Sequence, residues 1–386
     1  MSFTVTVDTA RWHAHQDSVA TAVARATGSG IVPVVKGNGY GLGQDLLTRQ
    51  AERLGADTVA VGTVWEIASV VNPGSHDILV LEPFDPRDAV AAAEWWKVGQ
   101  HLHAGRVIRT VSTREALLAL IDGPGSVRIV IEARTSMHRF GIDERGLVDV
   151  LAEPDVRAAL ERGRVLVEGL ALHLPLVQPA DEVSPPGVAA TPRVREVVRW
   201  AGLWQELTQV WSGHNSPVGR VWTSHLTDDE ASRIAASVPD APLRLRVGTR
   251  LWLGDRTVLR AAGTVLAVHP VATGTHVGYR QRTGPRDGTL VVVSGGTAHG
   301  IGLTAPTPAS SLRQRVVTAG TGALDAAGRA LSPFTWDGRQ RWFAEPPHQH
   351  VSMVWLPRGC VIPAIGDQMG ADVRYTTARF DAVVLD

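Results

Sequence analysis

The chain is poor in amines, thiols and phenols. Of 38 basic residues only Lys36 and Lys97 are lysine; there is one cysteine, Cys360, and there are three tyrosines, Tyr40, Tyr279 and Tyr375. A single cysteine excludes an internal disulfide framework and any cysteine-rich zinc module. The 38 basic residues are balanced by 38 acidic ones, so the positive excess that nucleic acid or an anionic membrane surface requires is missing. No apolar run approaches the length of about 18 residues needed to span a membrane. The opening MSFTVTVDTARWH lacks the basic start and apolar stretch of a signal peptide, and the expected location is the cytoplasm. What is present is enough apolar material for a sizeable core: 44% hydrophobic against 20% charged residues excludes a disordered chain. A lysine kept where arginine is otherwise used points to amine chemistry, which a guanidinium cannot perform.

Short apolar runs alternate with helical patterns through the first two thirds. The candidate strands are IVPVV (31–35), TVAVG (58–62), ILVLE (78–82), VIRTV (107–111), VRIVIE (127–132), VLVEGLALHL (165–174), RVWTS (220–224) and LRLRV (243–247). Amphipathic stretches such as REALLALI, ERGLVDVLA, VREVVRWAGLWQELTQV and DDEASRIAASV lie between them. Eight apolar strands separated by helices read as parallel βα units, and eight such units over about 250 residues make a (β/α)8 TIM barrel. An open doubly wound sheet is the alternative. From about residue 251 helical periodicity gives way to β-like runs between Gly and Pro turns: GTVLAVHPV, GTHVGYRQR, GTLVVVSGG, HVSMVWLP and ADVRYTTARFDAVVL. The expected organisation is a barrel over 1–250 followed by a mostly β domain over 251–386. The Pro- and Ala-rich stretch 178–193 reads as a surface loop after the sixth strand.

Barrel active sites lie at the C-terminal ends of the strands. There the sequence places Lys36 with the turn GNGYGLG, Glu132 leading toward Arg139, His173, Thr223 with Ser224, and Arg246 leading into Gly248 and Thr249. Each alone is compatible with an ordinary cap, salt bridge or satisfied histidine. The glycine turn is neither a Walker loop nor GxGxxG; it reads as a flexible βα loop or as close backbone approach to something bound over Lys36.

The run VVKGNGYGLG resembles the cofactor-lysine motif of the alanine racemase family, VVKADAYGHG. The resemblance continues in order: SMHRFGI is similar to GMGRLG, GLALHL to GLxTHF, RVWTSHL to the NSA segment, LRVGTRLWLG to RPGIMLYG, THVGYRQRT to VGYG and DVRYTT to TISYE. It implies a pyridoxal 5′-phosphate (PLP) barrel followed by a β domain. It also implies that Lys36 holds PLP covalently and acts as one proton-transfer base. Tyr279, offered by the partner subunit of a homodimer, would be the other. Arg246 would meet the pyridine nitrogen and His173 would link it to Tyr279. Tyr40, Ser224, Gly248, Thr249 and Tyr375 would hold the phosphate. Arg139 would serve the cofactor's phenolic oxygen and the carboxylate of a small amino-acid substrate. The implied activity is amino-acid racemisation, with alanine the default substrate and D-amino acids for peptidoglycan the implied role.

Departures from the family pattern lie on the substrate side. Glu132 stands where the family often has a carbamylated lysine, seven residues before Arg139, and a pairing of Glu132 with Arg139 is expected. Thr297–Gly300 (TAHG) replaces YADG and Pro347–Gln349 (PHQ) replaces MDQ. These changes leave room for another PLP reaction, decarboxylation or aldol cleavage, or for a PLP-binding protein without catalysis. The pairs His101/His103 and His348/His350 invite a metal, but no carboxylate or cysteine set accompanies them and none is expected.

Overall fold

The computed structural model describes residues 2–177, 191–209, 219–284, 286–303 and 330–386. Two compact units emerge: Ala14–Gly39 with Gly43–Gly254, and Met1–His13 with Tyr40–Leu42 and Asp255–Asp386. The first strand, β1 (Phe3–Val7), belongs to the second unit.

The larger unit contains β2 (Val32–Pro33), β3 (Thr58–Val61), β4 (Asp77–Pro83), β5 (Val107–Val111), β6 (Val127–Ala133), β7 (Val165–Leu172), β8 (Val221–Ser224) and β9 (Leu243–Val247). All adjacent pairs are parallel, in the order β2-β9-β8-β7-β6-β5-β4-β3. A parallel bridge between Val34 and Ala60 joins the two ends, so the sheet closes as a barrel. Each of the eight strands expected from the sequence is there, with helices between them. The first is regular over two residues only, because Pro33 has no N–H to donate. Val34 and Val35 continue it singly, donating to the carbonyls of Val247 and Ala60 at 2.9 and 2.8 Å.

Side chains from seven of the eight strands cluster together in a buried core: Val32, Val34, Ala60, Leu79, Ile108, Val130, Ala171 and Trp222. Burial of each large one contributes about 1.5–3 kcal/mol. The Trp222 indole donates to the Glu168 carbonyl at 2.8 Å, so the buried ring carries no unsatisfied donor. Helix starts follow local chemistry. Thr227 and Glu230 form a capping box ahead of Asp228–Ser237, and Asp143 caps Glu144–Ala152. Most of the expected loop 178–193 lies outside the described residues; its end, Thr191 and Pro192, caps and opens the helix Pro192–Thr208.

The second unit is built from β1 and from β10 (Leu259–Val271), β11 (His276–Val277), β12 (Arg282–Thr283), β13 (Gly288–Ser294), β14 (Leu331–Trp336), β15 (Arg339–Phe343), β16 (Val351–Pro357), β17 (Gln368–Ala371) and β18 (Ala382–Leu385). The long β10 bends at a register shift between Val265 and Ala267. Its first half pairs with β1 and β17, its second half with β13, and the sheet β13-β16-β15-β14-β17-β10 thereby returns on itself. Phe3, Val265, Val291, Val293, Phe334, Val354, Leu356 and Met369 form its core.

The run ADVRYTTARFDAVVL is not one strand, as its β-like texture suggested. It leaves β17 at Ala371 and re-enters the sheet only at Ala382. Between them the Arg374 carbonyl accepts the N–H groups of Thr377 and Ala378, both at 2.9 Å, and this turn carries Tyr375.

Candidate active site

Lys36 follows β2 at the C-terminal end of the barrel. Its side chain is exposed and makes no hydrogen bond or ion pair among the described residues. Desolvation, with the positive charges of Arg139 and Arg246, lowers the pKa of its amine; the Glu66 carboxylate works in the opposite direction. Two lysines are present, and the one at a strand end is a free amine biased toward its nucleophilic form. The turn after it is tied to β3 by Glu66. One oxygen of that carboxylate accepts from Gly62 N at 2.8 Å, Gly37 N at 3.1 Å and Gln44 Nε2 at 2.9 Å. The reading of strand ends passed over Glu66. The signal was a carboxylate four residues beyond the glycine that ends β3.

Arg246 is buried on β9, in register with Val32 of β2 and Ser224 of β8. Its Nη2 donates to the Leu172 carbonyl at 2.8 Å and its Nε to the Thr223 carbonyl at 3.3 Å. Burial lowers its pKa to about 10 against the raising effect of Glu132. The guanidinium is thus fixed by backbone of β7 and β8, and no hydrogen bond joins it to the His173 ring.

His173, just beyond β7, is half-buried with its ring 5.2 Å from that of His225, edge to face. Burial and the cations Arg246 and Arg139 depress its pKa to about 2, and His225 is depressed to about 4 for the same reasons, with Lys36 contributing. Both imidazoles are neutral near pH 7. Ser224 is buried at the end of β8, and its Oγ accepts from Leu174 N at 3.4 Å. Gly248 and Thr249 open the short helix after β9.

Glu132 departs from its expectation. It is buried on β6, and its Oε2 has no hydrogen-bond partner. Burial raises its pKa, Arg246 opposes that most and Arg139 less. No ion pair with Arg139 forms, because β6 ends at Ala133 and Arg139 sits on the loop beyond it, exposed, its guanidinium 5.1 Å over the Phe140 ring.

In the second unit the residues Tyr40 to Leu42 pack against Tyr375. Gly41 has φ 85°, and a Cβ there would lie 2.8 Å from the Tyr375 carbonyl, so only glycine permits that approach. Burial raises the Tyr375 pKa, and the Arg256 guanidinium stands 5.5 Å over its ring. Tyr279 lies between β11 and β12, 86% exposed. Thr297–Gly300 and Pro347–Gln349 meet: Thr297 N donates to the His348 carbonyl at 2.8 Å and Ala298 N to that of Gln349 at 2.9 Å. His101 is exposed and His103 half-buried beyond the helix Ala89–Gln100, with rings 5.3 Å apart. Among the described residues no three metal-ligating side chains gather, and no helix is long and apolar enough to cross a membrane.

A (β/α)8 barrel with an unpartnered lysine at the end of its first barrel strand, a buried guanidinium on the neighbouring strand and a following β domain defines a barrel-type PLP protein. The chain belongs to the alanine racemase family: residues 7–230 match the family described as alanine racemase, N-terminal domain. An alanine racemase of Nitratidesulfovibrio vulgaris is 27% identical over 282 residues, covering 69% of this chain and 68% of that one. Two solved structures share the fold over the whole chain. One, alanine racemase from Bartonella henselae with covalently bound pyridoxal phosphate, has a TM-score of 0.64 at 16% identity and is covered in full. The other, histidine racemase from Leuconostoc mesenteroides, has a TM-score of 0.60 at 17% identity, with 97% of it covered. The cofactor of the family is PLP, and its members are isomerases. The donor set here fits that cofactor: a free strand-end amine, a donor-only guanidinium and a strand-end serine.

Proposed function

We propose that the protein is a PLP-dependent amino-acid racemase acting as a cytoplasmic homodimer, with Lys36 and the partner subunit's Tyr279 as its two proton-transfer bases. The observation that carries this reading is the Lys36 amine, unpartnered and lowered in pKa among Arg139 and Arg246. PLP supplies the electron sink that makes an α-carbanion accessible. Lys36 would hold it covalently, with Ser224, Gly248 and Thr249 on its phosphate. Arg246, which has only donors, would face the pyridine nitrogen and disfavour its protonation. That weakens the sink and favours return of the proton to the same carbon. His173, kept neutral, adds no charge beside Arg246. Lys36 would move the proton at Cα on one face. The partner's Tyr279, exposed on its own chain, would move it on the other.

Alanine is the default substrate. The replaced segments Thr297–Gly300 and Pro347–Gln349, with a histidine racemase among the proteins of like fold, widen the choice to other amino acids. A role in supplying D-amino acids for peptidoglycan follows from the same reading. The test is chiral chromatography of single enantiomers of the common amino acids incubated with enzyme and PLP. At least one should give its mirror image, and Lys36→Ala should abolish this. Decarboxylated or cleaved products without enantiomer interconversion would refute it.

A further inference from the structure

The carboxylate of Glu345 divides its oxygens around the tip of the β11–β12 hairpin. Oε1 accepts from Tyr279 N at 3.1 Å and is paired with His348 Nε2; Oε2 accepts from Arg280 N at 3.2 Å. Glu345 is 2% exposed. Burial alone would raise its pKa, but the His348 contact and the two backbone N–H groups outweigh it and hold the carboxyl below its ordinary range. The approach depends on Gly278, at φ 70°: a Cβ there would fall 2.0 Å from the Glu345 carboxyl carbon. The His348 imidazole then lies against the Tyr279 ring, centroids 4.4 Å apart and planes tilted by 37°.

The strands that carry Tyr279 are two residues each, too short to fix a side chain at their tip. The ring is nearly all exposed, and among the described residues His348 is its aromatic neighbour. That residue lies in Pro347–Gln349, the segment read from the sequence as standing in place of the family's MDQ.

We propose that Glu345 and His348 are positioning residues for Tyr279, a brace that holds both the backbone and the ring of the second base in the orientation required for proton transfer. This rests on the reading of Tyr279 as that base. Glu345 fixes the turn through the two N–H groups and fixes His348 through the imidazole, and His348 fixes the ring. Misplacement of a reacting group by about 1 Å costs on the order of a hundredfold in rate. Loss of the brace should therefore slow one face of the reaction and spare the other.

Two arms test this. In the cofactor-free protein labelled with 13C at the tyrosine Cζ, three signals are expected, and Tyr279→Phe identifies one. His348→Ala should shift and sharpen that signal alone, leaving those of Tyr40 and Tyr375 in place, and His348→Phe should restore much of its position. In the loaded enzyme, α-proton exchange in D2O is measured from each enantiomer separately. His348→Ala and Glu345→Gln should lower exchange by roughly ten- to a hundredfold from the enantiomer that Tyr279→Phe suppresses, with the other within about twofold and KM little changed. An unmoved Tyr279 signal in His348→Ala, or equal losses from both enantiomers, would overturn the brace. If Tyr279→Phe itself distinguishes no enantiomer, the assignment of the base fails, and the labelled tyrosine still decides whether the ring is held by His348.

Discussion

Acidification should weaken the barrel through His173. Its pKa is about 2 in the folded chain against about 6.5 for a free histidine. The unfolded chain therefore binds a proton below pH 6.5 that the folded one refuses, and stability falls with pH from there down to about 2. Between pH 7 and pH 5 the loss is 1.36 kcal/mol per unit over the 1.5 units below 6.5, about 2 kcal/mol for this half-buried group. His225 moves the same way but is exposed, and solvent screening discounts its share. The perturbation is His173→Gln, which keeps a polar side chain without the titration. Urea unfolding of the cofactor-free protein at pH 7 and pH 5 should show the wild type losing about 2 kcal/mol more than the variant. The ring proton of His173, identified in NMR spectra by its loss in the variant, should not titrate between pH 8 and pH 5. A midpoint near 6, or identical pH dependence of the two proteins, would refute the reasoning.

Mixing inactive Lys36→Ala and Tyr279→Phe proteins under conditions of subunit exchange should restore part of the activity, since one hybrid site regains both bases; no recovery would contradict a shared site. Glu132→Gln should act through Arg246, its stronger electrostatic neighbour, altering PLP affinity and the visible spectrum while substrate KM stays within about twofold. A raised KM with an unchanged spectrum would instead implicate Arg139.

All eight barrel strands were legible because buried parallel strands are continuous apolar runs, and the strand-end rule located Lys36, His173, Ser224 and Arg246 from position alone. The remainder turned on contacts between distant segments. Phe3–Val7 was not singled out as a strand, because its partners, Leu259–Gly263 and Ala382–Leu385, are hundreds of residues away. The hairpin β14–β15 carried a local signal that was passed over: Asp337 and Gly338, both at positive φ, are the pair a tight turn demands. Glu132 was placed at its strand end but assigned the wrong first neighbour. Spacing along a chain does not reveal that β6 ends before Arg139 while Arg246 enters from three strands away. Glu345 gave no sequence signal, since its role depends on a turn more than sixty residues earlier.

Two lysines make the decisive measurement simple. The PLP-loaded protein is reduced with borohydride, digested, and its peptides mapped by mass. The pyridoxyl mass should appear on Lys36 alone and vanish in Lys36→Ala along with the visible absorbance of covalently bound PLP. A label on Lys97, or none on either lysine, would contradict the account.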